Sequence, residues 1–214
     1  MAGGAAMVLL CAGGCGPGAG RVAEDRADTE ARAPATAPAS PQVEWPVIGE
    51  SGIGYARRGM TLRALRDSLP PAIRLGDLDE RFMVDISALP VIAGSDTLYH
   101  LLFSSLEAVN DSLHLEMVAT LNPGARTTDG LGPGTTLADF AARHGPLTLA
   151  YSVNDESREY VHFGSQPGNM YFRVRPPADD RAFAGVYATS SEYNTTTRYA
   201  PDARILMVIV DLRQ

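Results

Sequence analysis

The sequence predicts an α+β domain, mostly antiparallel sheet, with two short repeat-related helices and two similar halves. Three observations lead there. A Gly-apolar-Gly pattern followed by Gly-x-Thr-Leu occurs twice. Short alternating apolar runs, separated by turn residues, follow each occurrence. Helical periodicity is confined to the stretch directly after each Thr-Leu.

In the first copy, Gly52-Ile53-Gly54 precedes Gly59-Met60-Thr61-Leu62; in the second, Gly130-Leu131-Gly132 precedes Gly134-Thr135-Thr136-Leu137. The spacing suggests related halves over about 43–124 and 125–214. Thr61 and Thr136 are the expected N-caps, since a side-chain oxygen there accepts from an otherwise unpaired helix amide. Thr136 with Asp139 approximates a capping box, with Asp in place of Glu. Leu62, Leu65 and Leu69 share one helical stripe, as do Leu137, Phe140, Ala141 and His144. Pro70-Pro71 stops the first helix and Gly145-Pro146 the second.

Strands are expected over 82–87, 97–104 and 112–121, then over 148–153, 158–164, 170–175, 182–189 and 204–212. Turn residues such as Asn122-Pro123-Gly124 and Gln166-Pro167-Gly168-Asn169 divide them. The polar stretch 189–199 reads as an exposed loop or edge hairpin.

Composition sets further bounds. The 214 residues are 45% hydrophobic and carry a net charge of −7, which argues against a broad nucleic-acid surface. No lysine occurs, so Schiff-base lysines, Ser-x-x-Lys nucleophiles and Walker lysines are excluded. The two cysteines, Cys11 and Cys15, both fall near the start, which leaves the domain without an internal disulfide or a thiolate metal site.

Residues 5–12 form an apolar stretch too short to span a bilayer and similar to the core of a signal peptide. Ala12-Gly13-Gly14-Cys15 resembles the lipobox of bacterial lipoproteins. In that family the cysteine is lipidated and becomes the mature N-terminus, which implies lipidation at Cys15. Residues 1–15 are therefore expected to be leader. Residues 16–42, rich in Ala, Pro and Gly, read as a disordered linker, and 43–214 as the globular domain. A flexible linker of this length has an r.m.s. span of roughly 30 Å.

The repeated unit resembles the small helix-plus-sheet module of β-lactamase inhibitor proteins and of outer-membrane assembly lipoproteins. Gly52-Ile53-Gly54, Gly59-Met60-Thr61, the run from Arg126 to Gly130, the run from Gly132 to Leu137 and the strand at 159–163 also resemble elements of bacterial secreted proteins of unknown function. The resemblance implies a protein-binding or envelope-maintenance role and no known reaction. It carries over no binding residues.

Among candidate sites, Arg126-Thr127-Thr128-Asp129-Gly130 is the most distinctive polar cluster. Arg126 is suited to grip an anionic group, with Thr127 and Asp129 beside it; the alternative is a loop staple. Tyr160 and Tyr171 belong to an aromatic-rich second half suited to a binding surface. His100, His114, His144 and His162 show no ligand spacing, so no metal is expected. His144 ends a helix, where a partly positive ring complements the dipole. The charged run from Asp155 to Glu159 reads as a solvated hairpin rather than paired catalytic carboxylates. No nucleophile elbow or phosphate loop is present, so no catalytic residue and no cofactor is assigned.

These observations predict an exported protein, periplasmic or held at the membrane only through an N-terminal lipid. It is expected to bind an unidentified envelope protein and no nucleic acid. The alternatives are a periplasmic binder of a small anionic ligand and, behind it, a hydrolase.

Overall fold

The computed structural model describes residues 45–104, 108–177, 182–188 and 191–213. The expected leader at 1–15 with Cys15, and the expected linker at 16–42, lie outside the described residues. From Trp45 the chain first lays down β1 (Val47–Gly49), β2 (Gly52–Ile53) and β3 (Ala56–Arg57). Helix α1 (Leu62–Ser68) follows, then β4 (Ile73–Leu75), β5 (Asp79–Met83), β6 (Ile86–Ala93), β7 (Asp96–Ser104) and β8 (Met117–Thr120). Next come β9 (Arg126–Thr127), α2 (Leu137–His144), β10 (Thr148–Ser152) and a 3-10 turn at Val153–Asp155. Strands β11 (Glu159–His162), β12 (Met170–Arg175), β13 (Tyr193–Thr196) and β14 (Arg204–Asp211) complete the chain.

The fold is α+β and mostly antiparallel sheet. One ten-stranded sheet runs β13-β10-β11-β12-β14-β8-β7-β6-β4, with β5 also pairing with β6. A four-stranded sheet, β3-β2-β1-β9, sits apart from it, and there β1 and β9 run parallel. In that small sheet Gly52 (φ 146°) is required for contact, because a Cβ would lie 1.9 Å from the carbonyl oxygen of Ala56.

Both helices begin as expected. Thr61 Oγ1 accepts from the Ala64 amide at 3.2 Å, and Thr136 Oγ1 accepts from the Asp139 amide at 3.0 Å. Asp139 differs from a capping-box glutamate: its Oδ2 accepts the Thr136 hydroxyl at 2.7 Å. Each helix start is tied to the approach to a late strand. The Leu62 amide donates to Leu113 O at 2.9 Å and the Leu115 amide to Met60 O at 2.9 Å. In the same pattern, the Leu137 amide donates to Ala203 O at 2.8 Å and the Ile205 amide to Thr135 O at 2.9 Å. Strands β8 and β14, which follow these ties, pair antiparallel through Ala119 and Ile209.

One face of the large sheet buries Val118, Leu149, Phe172 and Val208 against Leu62, Leu65, Leu137 and Phe140 of the helices and Ile48 and Ile53 of the small sheet. The other face holds a smaller cluster of Ala88, Leu102, Ala119, Met207 and Ile209, with Phe82, Met117, Tyr160 and Tyr171 packed around it.

Three strand expectations are corrected. The range 112–121 narrows to β8 at Met117–Thr120, preceded only by an isolated bridge from His114 to Thr61. The range 82–87 crosses a hairpin: β5 ends at Met83, Val84 and Asp85 make the turn, and β6 begins at Ile86. The range 182–189 forms no strand over 182–188, where only an isolated bridge joins Gly185 to Tyr199. The polar stretch 189–199 does contain an edge strand, β13, paired with β10.

Candidate functional site

A cleft that brings together Thr127, Asp129, His144 and Ser165 lies where the small sheet meets the C-terminal end of α2 and the β11–β12 turn. It encloses about 290 Å³ and is lined by Ile48, Glu50, Thr127, Asp129, His144 and Ser165, with Phe163, Met170 and Phe172 at its apolar wall.

Thr127 organises the loop that follows β9. Its hydroxyl donates to Asp129 Oδ1, and its oxygen accepts the Leu131 amide at 2.9 Å. The Thr127 amide donates to Leu131 O at 2.7 Å, which closes the turn around Thr128-Asp129-Gly130. Arg143 of α2 clamps that turn from the helix side by donating to Asp129 O.

His144 is placed by the apolar stripe of α2. Its ring lies 5.2 Å from Phe140 and 4.5 Å from Phe163, centroid to centroid. Nε2 approaches Asp129 Oδ2 at 2.9 Å, off the line of a well-directed hydrogen bond, so the contact is one of charge pairing when the ring is protonated. On the other side of the ring, Nδ1 lies 3.4 Å from Ser165 Oγ. Burial raises the pKa of Asp129, but the Thr127 hydroxyl, its own backbone amide and His144 outweigh that. They hold its carboxyl below the ordinary value. The cleft thus presents a fixed carboxylate, an imidazole and a hydroxyl in a row.

The residues singled out from the sequence separate in space. Thr127 and Asp129 line the cleft. Arg126 does not: its Nη1 donates to Ala125 O at 2.7 Å and to Pro133 O at 3.2 Å, so its guanidinium staples the loop. Asp129 is not its partner. Tyr160 and Tyr171 pack on the opposite face of the large sheet. Burial pushes the Tyr160 hydroxyl up to about 12. His114 bridges to Thr61, and His100 stacks on Phe82 at 4.8 Å. Among the described residues, no group of three or more His, Cys, Asp or Glu could hold a metal ion.

Sequence reasoning missed Ser165, Phe163 and Glu50 as neighbours of Asp129, because nothing local in the sequence joins the three segments. It also missed Glu159. That carboxylate is only 4% exposed, and it accepts from the amides of Ala184 and Gly185 and from the Tyr187 hydroxyl at 2.7–2.8 Å. The Tyr187 hydroxyl is pushed up by burial and by Glu159. Tyr187 also stands edge-on to Tyr151, which stacks on Phe183 at 4.2 Å. Glu159 is therefore an anchor for the 183–187 segment.

Comparison with known protein families gives no match, and no curated protein is detectably similar. Among solved structures, the chain is similar to the crystal structure of the uncharacterized protein yfeY from Escherichia coli. The two share 11% identity and a TM-score of 0.46 over 76% of this chain and 97% of that one. Among the described residues, no helix is long and apolar enough to cross a membrane.

Proposed function

We propose that this chain is an exported, lipid-tethered, non-enzymatic envelope protein whose recognition site is the cleft around Thr127, Asp129 and His144. The observation that carries the reading is the immobilised Asp129 carboxylate, held between Thr127 and His144 at the mouth of a cavity with an apolar wall. A cavity with few convergent polar groups on an apolar lining is the usual form of a binding site. The lipobox-like Ala12-Gly13-Gly14-Cys15 and the Pro/Ala-rich stretch after it support export and tethering.

With Arg126 committed to backbone carbonyls, the cleft offers acceptors more than cations. This favours a protein partner or a donor-rich ligand over a small anion. The matching ties of α1 to Leu113 and Leu115 and of α2 to Ala203 and Ile205 support two related halves joined along β8 and β14.

The test is affinity capture from envelope extract with the full chain as bait. A component retained by the parent and lost with Asp129→Ala supports the reading. A component retained equally by both overturns the cleft as its site.

One observation favours a second reading, ester or amide hydrolysis: Asp129, His144 and Ser165 lie in line. A serine-directed fluorophosphonate that labels Ser165, and fails to do so in His144→Ala, would establish that reading in place of the first.

A further inference from the structure

We propose that the corner of the domain formed by Trp45, Val47 and Tyr55 rests on the headgroup layer of a lipid bilayer, an inference that builds on the tethered reading above. These three are large apolar side chains left open to solvent, at 44%, 55% and 39% exposure. With Pro46, Gly54 and Arg57 they line one shallow recess, and none of these residues is acidic, although the chain as a whole carries a net charge of −7.

The side-chain chemistry fits the boundary between water and hydrocarbon. Trp and Tyr have an apolar ring and a polar tip, and they concentrate at membrane interfaces for that reason. Arg57 beside them donates from Nη1 to Ala56 O at 3.0 Å, and the other N–H groups of its guanidinium can meet lipid phosphates while its stem stays against apolar groups. The ring of Trp45 is seated in advance. It lies against the backbone of Gly124, where an added Cβ would come within 2.4 Å of it.

Trp45, the first described residue, belongs to the patch and follows Cys15 by thirty positions in the sequence. A lipid on Cys15 therefore raises the local concentration of bilayer at this corner before any other. A single weak contact then suffices, because the anchor and the patch act as two membrane signals on one chain.

The chain has a single tryptophan, Trp45, so its fluorescence reports on the patch alone. The experiment uses the full chain carrying Cys15→Ser, without lipid, titrated with vesicles of phosphatidylethanolamine and phosphatidylglycerol. The expected result is a blue shift of Trp45 emission and co-sedimentation with the vesicles. Val47→Asp, on an exposed position of β1, is expected to weaken partitioning on the order of tenfold while leaving circular dichroism unchanged. Emission indifferent to vesicles, or a Val47→Asp chain that partitions like its parent, overturns the proposal. The tether is judged separately by the intact mass of the wild-type chain from cells. A Cys15 without lipid would reject the tethering and leave the vesicle result to decide the patch.

Discussion

Replacing Glu159 with Gln leaves the size of the side chain unchanged and removes the charge on which two backbone amides and the Tyr187 hydroxyl converge. An amide offers one acceptor oxygen, and its NH2 group then faces a donor inside the protein. Glu159→Gln is expected to cost about 2 kcal/mol, read as a lower urea midpoint with an unchanged slope. Asp211 gives a second prediction. The Arg213 side chain, which donates to it at 2.8 Å, outweighs burial and holds its pKa below the ordinary value. A carboxyl with a depressed folded-state pKa contributes stability that is present above its unfolded value and is lost as pH falls through the folded one. Asp129 acts in the same direction. Urea midpoints should therefore decline below about pH 4, and Asp211→Asn should make that decline shallower. An equal decline in the variant would assign it to other carboxyls. At this scale the cleft was half legible. Thr127 and Asp129 stood out because Thr and Asp beside Gly form a turn with its own hydrogen bonds. His144 was legible as a helix end but not as a partner of Asp129, since that pairing depends on how α2 docks.

Each helix is set by one hydroxyl and a few backbone bonds. Thr61→Ala and Thr136→Ala are each expected to cost about 1 kcal/mol, with unchanged urea slopes. A Thr136→Ala protein as stable as its parent would show that the bonds to Ala203 and Ile205 hold α2 without its cap. The two helix starts, β12 and β14 were readable because cap chemistry and period-two burial act over neighbouring residues. Strands β1, β2, β3 and β9 were not. They are two or three residues long, and Gly49 and Gly52 add no side-chain pattern. The hairpin at Val84-Asp85 escaped notice because Val84 continues the apolar run while being 73% exposed at the turn. The stretch at 182–188 looked strand-like from its alternation, but its amides at Ala184 and Gly185 go to Glu159, a partner remote in sequence.

For the whole molecule, the single ten-stranded sheet determines where function is possible. Its pairing of β8 with β14 joins the earlier strands to the later ones, so that one face is filled by both helices and the small sheet. The cleft forms at the edge of that filling, where β9, α2 and the β11–β12 turn meet. No local stretch of sequence encodes such a place. The aromatic corner of Trp45, Val47 and Tyr55 lies beside the small sheet.

Amide chemical-shift mapping tests the proposed recognition at the cleft. The labelled full chain would be titrated with the component captured from envelope extract. The largest shifts are expected at Thr127, Asp129, His144 and the turn from Phe163 to Met170. Shifts centred instead on Tyr160 and Tyr171, with the cleft amides unmoved, would contradict it.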